Sequence, residues 1–233
     1  MNSEITFTQR AVARLVGALY LVQMAAGVFG EVAARGQLIA RGDATRTAEN
    51  IIAGERLFRL SIAGDLLTCI AVLVLTWGLY VLLRPVNQHI ALLGAFFRLV
   101  ELAVLSIATI NSLVVLRLLS AANPLKTLEP GQIHSFVSLA IAAQGLAMSV
   151  GFVFLGLGSA VFAYLLLKSR YVPKALAALG IFGALTLSVV TLASMVFPGL
   201  RVLGMTYMLP MGLYEVGLGL WLLIKGVRSP NES

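Results

Sequence analysis

Charge, cysteine and histidine are all scarce in this chain of 233 residues. Acidic and basic residues together make up 12%, about half of what a soluble domain carries. Most of the surface therefore cannot face water. One cysteine, Cys69, sits inside an apolar run. A single thiol forms no disulfide within one chain and lacks the partners for a thiolate metal site. The two histidines, His89 and His134, stand apart and give neither a histidine triad nor zinc-hydrolase spacing. The serines and threonines have no base at a readable spacing, so no nucleophile dyad is visible. The segment "GLGSA" (156–160) lies within an apolar run and is not a phosphate loop. These absences argue against an intramembrane enzyme, and they point to no cofactor.

What fills the chain instead is apolar sequence: 59% hydrophobic residues and a mean hydropathy of +0.95. Uninterrupted runs of 18 residues or more recur, each long enough to cross a hydrocarbon core of roughly 30 Å. They do not alternate as the strands of a β-barrel would. The expected fold is an all-α polytopic membrane helix bundle, a single integral membrane domain over residues 1–233. Its six transmembrane helices are placed at 10–34, 57–83, 88–119, 132–167, 174–197 and 207–227. Arg10 and Arg14 precede a run reaching Val32, too long for the apolar core of a signal peptide. That run reads as an uncleaved first helix. Pro85, Pro124, Pro130, Pro173 and Pro198 fall in the connections, where a missing amide donor costs least. The connection 35–56 is polar, yet Ala44, Ala48, Ile51 and Ile52 share one helical face behind Asp43, a good N-cap. It predicts a short amphipathic helix on the membrane surface.

The net charge is +7. The basic residues lie at helix ends and no aromatic-plus-basic surface accompanies them, so the excess reads as topology and lipid headgroups and not as nucleic-acid binding. An even number of crossings puts both termini on one side, with Arg10, Arg14, Arg84, Lys168, Arg170, Lys174, Lys225 and Arg228. The other side holds Arg35, Arg41, Arg46, Arg56, Arg59, Arg117, Lys126 and Arg201. The first set is concentrated in very short loops, and the second is diluted by acids. Both termini are therefore expected in the cytoplasm, with the protein in the cell inner membrane. Gly212, Gly219 and Gly226 recur every seven residues on the last helix. Such a thin strip lets another helix approach, within the bundle or in a homodimer.

The chemistry lies in "AFFRLVELAVL" (95–105), which holds Arg98 and Glu101 inside an apolar run. At 1.5 Å per residue, Arg98 lies about 15 Å and Glu101 about 20 Å from the start of their helix. Asp65 and Glu215 lie about 12 Å from the far ends of theirs. Gln23 and Gln144 come to a similar depth. Each ion left alone at a helix centre would cost roughly 2.5–3.5 kcal/mol or more, so these groups are expected to face inward and find one another. Arg98 and Glu101 are i,i+3 neighbours, and Asp65 is expected to offer Arg98 a second carboxylate. Three acids against one arginine leave room for a proton or a bound cationic group. Two functions fit. The cluster of Asp65, Arg98, Glu101, Glu215, Gln23 and Gln144 binds or passes a small cation, a proton or a polar lipid-like molecule. Alternatively, the charges only pin helices together in a structural or regulatory membrane protein. Met205, Met208 and Met211 are spaced three apart and could offer thioethers to Cu(I); packing is the commoner use of such methionines.

Five segments resemble a bacterial multi-pass membrane family known as domain of unknown function 4386. They are "ARLVGALYLV" (13–22), "ENIIAGERLFRLSIAGDLL" (49–67), "GLYVLLRPVNQ" (78–88), "FFRLVELAVL" (96–105) and "YEVGLGLWLLIKGVR" (214–228). The blocks around Arg59, Asp65, Arg98 and Glu101 are the most specific. The resemblance implies a multi-pass membrane protein and no particular activity, so it carries over no catalytic residue.

Overall fold

A computed structural model describes residues 7–120, 128–197, 199 and 206–227. They form seven principal helices and, among the described residues, no strand. Helix α1 (Phe7–Val28) runs on into a π-helical segment, Phe29–Arg35, and a last turn, Gly36–Leu38. It is followed by α2 (Ala44–Ala53), α3 (Glu55–Leu83), α4 (Gln88–Leu119), α5 (Pro130–Ser169), α6 (Lys174–Val196) and α7 (Leu209–Ile224). A 3₁₀ turn, Thr206–Met208, leads into α7.

Among the described residues, six helices are long and apolar enough to cross a membrane: Gln9–Leu38, Glu55–Leu83, Gln88–Leu119, Pro130–Ser169, Lys174–Val196 and Thr206–Ile224. They match the six expected spans, with one informative difference. The first continues past residue 34 to Leu38 and takes Arg35 with it. Many large apolar side chains along these helices are exposed, among them Ile70, Trp77, Phe96, Ile110, Leu139, Phe182 and Leu213. In water such surface would aggregate; lipid is the solvent that tolerates it.

Local chemistry ends these helices where it should. The Asn87 side chain accepts from the Ile90 amide at 3.0 Å as α4 begins. Pro173 precedes α6 and Pro130 opens α5, where a missing donor is harmless. Arg170 turns the chain out of α5 with φ 58°, and Gly226 ends α7 with φ 68°, a conformation that favours glycine. Gly226 thus belongs to a helix stop and not to a packing strip.

The chain forms two compact units. Unit one holds residues 1–24, 70–102 and 150–233. Val12, Val16, Tyr20, Leu75, Leu79, Phe162, Leu166, Leu218 and Leu222 lie in its core. Here α1 and α7 touch backbone to backbone. A Cβ on Gly17 would lie 2.6 Å from the Gly219 carbonyl, and one on Gly219 would lie 3.1 Å from Tyr20 Cβ. Of the expected glycine strip, Gly219 alone makes this approach. A Cβ on Gly212 would meet only Met24 Cε, at an ordinary 3.8 Å. The Ser188 hydroxyl of α6 donates to the Val153 carbonyl of α5 at 2.9 Å.

Unit two holds residues 25–69 and 103–149. Leu38, Ile51, Phe58, Ile62, Val115, Leu118 and Val137 form its core. The small residues Gly30 and Gly64 bring α1 and α3 together: a Cβ on Gly30 would sit 3.7 Å from the Ser61 carbonyl, and one on Gly64 3.5 Å from that of Ala26. Helix α2 begins as expected, with the Asp43 side chain accepting from the Arg46 amide at 2.8 Å. Its buried face differs from the expected one. Thr47, Ala48 and Ile51 are covered, while Ile52 is 56% exposed. The exchange follows from a polar contact, because the Thr47 hydroxyl pairs with the Ala40 backbone at 3.0 Å and turns the helix that way.

Candidate functional site

Each unit gathers one buried arginine, two carboxylates and one buried glutamine amide; the carboxylates are buried in unit one and half-buried in unit two. In unit two the arginine is Arg35. It closes the π-helical segment and is 3% exposed. Its Nη1 donates to Glu31 Oε1 at 2.7 Å, one turn earlier, and to Asp65 Oδ1 of α3 at 3.2 Å. Its Nη2 donates to Asp65 Oδ2, so the guanidinium grips Asp65 with two prongs. Gln144 of α5 donates from Nε2 to the same Glu31 oxygen at 3.2 Å. The π segment widens the helix where Arg35 turns inward beside Glu31; such departures from α geometry recur at functional sites.

A cavity of about 50 Å³ opens beside this cluster, lined in part by Glu31, Asp65, Thr68, Cys69, Thr109 and Gln144. Glu31 and Asp65 line it and Arg35 does not; Arg35 lines a smaller cavity of about 10 Å³ with Ser112 and Gln144. Two acids against one base leave a formal charge of −1. Thr68 and Thr109 spend their hydroxyl protons on the carbonyls of Gly64 and Leu105, at 3.0 and 3.1 Å. What those hydroxyls can offer the cavity is oxygen lone pairs. The lining thus sets a few acceptor oxygens and a formal negative charge in a largely apolar wall.

In unit one the arginine is Arg98, the largest fully buried side chain among the described residues at 1% exposure. Its stem lies against Gly158 of α5, where a Cβ would come within 2.9 Å of Arg98 Cγ. Its Nη1 is 2.8 Å from Glu101 Oε2. The two form an ion pair by distance, although the N–H direction misses the oxygen and neither atom has an aligned hydrogen bond. Glu215 of α7 also lies within the field of Arg98, and Gln23 of α1 donates from Nε2 to Glu215 Oε1 at 3.3 Å. Tyr20 and Tyr214 close the cluster. This group too sums to −1.

The six residues singled out from the sequence therefore fall into two groups. Gln23, Arg98, Glu101 and Glu215 belong to unit one; Asp65 and Gln144 belong to unit two. Arg98 and Glu101 are paired as their i,i+3 spacing predicts. Asp65 is not the second carboxylate of Arg98; it is held by Arg35. Arg35, counted above among the loop cations, is a buried residue, and the cause is local. Glu31 one turn before it and Asp65 across from it compensate its charge, so the helix continues through it. Glu31 was passed over altogether; its one available signal was the i,i+4 spacing to Arg35 at the end of an apolar run. Of the three methionines, Met211 packs in the core of unit one, Met208 packs against it, and Met205 lies outside the described residues. His134 is half-buried, with Nδ1 3.3 Å from the Thr45 hydroxyl. Arg59 is exposed and pairs with Glu55 at 2.7 Å.

Among the described residues, six long apolar helices that hold paired charges define an all-α multi-pass membrane protein. The chain belongs to the family described as domain of unknown function (DUF4386), whose model matches residues 15–226. It is similar to an uncharacterised protein of Archaeoglobus fulgidus, 31% identical over 170 residues that cover 71% of this chain and 83% of the relative. No solved structure matches it.

Proposed function

We propose that this membrane protein binds and passes a small monovalent cation, an alkali ion, ammonium or a hydrated proton, at the cavity of unit two. The observation that carries the reading is the lining: Glu31 and Asp65 of the Glu31–Arg35–Asp65 cluster line the cavity and Arg35 does not. A net charge of −1 in a low-dielectric setting is costly unless a positive charge joins it. The acceptor oxygens of Thr68, Thr109 and the carboxylates suit an oxygen-liking cation. Size narrows the ligand further. About 50 Å³ holds an ion with a water or so, whereas pockets for drug-sized molecules run to roughly 300–1,000 Å³. That volume weighs against a polar lipid-like ligand.

The pin reading keeps one observation in its favour, the near-complete burial of Arg98 and Glu101 in unit one. We infer a cell inner membrane location with both termini cytoplasmic. Burial of Arg35 removes it from the loop cations, and the counts of the two sides given above then stand at eight to seven in favour of the side with the termini.

A melting series in detergent tests the cation reading. With choline replaced by lithium, sodium, potassium or ammonium at constant ionic strength, a bound ion stabilises the fold through mass action, by about 2.7 kcal/mol at a hundredfold excess over Kd, and so raises the melting temperature. A proton as ligand instead raises it with falling pH. Asp65→Asn should abolish the response. Equal melting in every salt and at every pH would remove the proposal.

A further inference from the structure

The polar groups of unit one do not balance as ionised side chains. Gln23 gives Nε2 to Glu215 Oε1 at 3.3 Å, yet its own Oε1 is buried without a donor. Glu101 already stands 2.8 Å from Arg98, so one acid answers the one cation. Glu215 is then a second carboxylate in a site where both acids are at most 5% exposed and close enough to repel each other. Two needs meet at one place: Glu215 has to share the single cation, Arg98, with Glu101, and Gln23 Oε1 lacks a proton donor.

We infer that Glu215 is a proton-binding site, held as a neutral carboxylic acid in a two-way pair with the Gln23 amide. The amide Nε2–H donates to the acid Oε1, and a proton on Oε2 donates to Gln23 Oε1. Taking up one proton turns the carboxylate into the acid, brings the cluster to neutrality and supplies the missing donor; no other bond changes. A metal cation does not fit. Gln23 Oε1 and Glu101 Oε2 are closed off on all sides, and such an ion would need several oxygens at once.

The groups facing Glu215 from the surrounding helices are few. Helix α1 brings Tyr20 and Gln23, α4 brings Arg98 and Glu101, and α7 itself brings Tyr214. Helix α5 brings Gly158 against Arg98, and α6 brings Gly180 against the Tyr214 ring. The part of α3 in this unit, residues 70–83, has no acid or base beyond Tyr80. Glu215 is therefore the group through which unit one takes up or releases a proton. The inference does not depend on the cation reading of unit two.

Infrared difference spectroscopy of the full chain in lipid nanodiscs tests it. At neutral pH the wild type minus Glu215→Gln spectrum should carry a carboxylic-acid carbonyl band and no carboxylate bands. The variant keeps the shape and replaces the acid–amide pair with an amide–amide one. Gln23→Leu keeps the acid and removes its acceptor, so the same band should move to higher wavenumber; this arm stands even if Glu215→Gln fails to fold. Carboxylate bands in the difference spectrum would show Glu215 ionised and overturn the inference. So would an acid band that survives Glu215→Gln, or one that Gln23→Leu leaves unmoved.

Discussion

Arg35 holds Asp65 across thirty residues of sequence with both guanidinium prongs, Nη1 to Oδ1 at 3.2 Å and Nη2 to Oδ2, while the same Nη1 holds Glu31 at 2.7 Å. One cation thus serves two acids. Arg35→Leu should strand both and destabilise the protein by about 3 kcal/mol, the low end for breaking a buried pair, because Glu31 and Asp65 keep 35% and 21% of their side-chain exposure. The triple variant Arg35→Leu, Glu31→Gln, Asp65→Asn should melt closer to the wild type, since no unpaired charge remains. Thermal melting in detergent reads both. Equal loss in the single and the triple variants would mean that packing and not charge holds this cluster.

A sharper contrast is expected in unit one, where burial is nearly complete. Arg98→Leu leaves Glu101 without its counter-ion and should cost about 3–5 kcal/mol. Arg98→Leu combined with Glu101→Gln should recover most of that loss. Chemical denaturation midpoints compared across the two variants check the coupling. An Arg98→Leu protein as stable as the wild type would show that the ion pair contributes nothing.

Much of this was legible in the sequence, and the rest was hidden for definite reasons. Helix α4 appears over 88–119 as expected, because a long apolar run between Pro85 and a polar connection leaves little choice. The Arg98–Glu101 pair was readable because i,i+3 spacing is local. The partner of Asp65 was not. Choosing between Arg98 and Arg35 depends on which helices pack together, and an apolar run carries no such information. Arg35 looked like a helix-end cation because basic residues cluster at membrane boundaries. Only Glu31, one turn earlier on the same helix, and Asp65, brought to it by packing at Gly30 and Gly64, draw it inside. The seven-residue glycine spacing was similarly mixed: Gly219 is a packing position, and Gly226 is a turn position.

That difference between glycines gives a third expectation. Gly219→Leu drives a side chain into Tyr20 and Leu21 and should cost about 1–3 kcal/mol by overpacking. Gly212→Ala meets only ordinary contact and should be neutral, or stabilising by up to about 1 kcal/mol through helix propensity. Melting temperatures of the two variants separate these outcomes. Equal effects would mean that α7 does not approach α1 at Gly17.

Topology supplies a fourth. Reporter fusions at residue 45 and after the C-terminus should report opposite sides of the membrane, with the C-terminal fusion cytoplasmic. The same side for both would contradict six crossings.

The central claim, that the cavity beside Glu31 and Asp65 takes a small monovalent cation, is tested most directly by equilibrium binding to the purified protein. Radiolabelled sodium and rubidium, and proton release recorded in parallel, would report an alkali ion or its exchange with a proton. The account predicts one saturable cation per chain, lost in Asp65→Asn and Glu31→Gln and kept in Glu215→Gln. Absence of both saturable binding and proton exchange in the wild type, or binding untouched by Asp65→Asn, would contradict it.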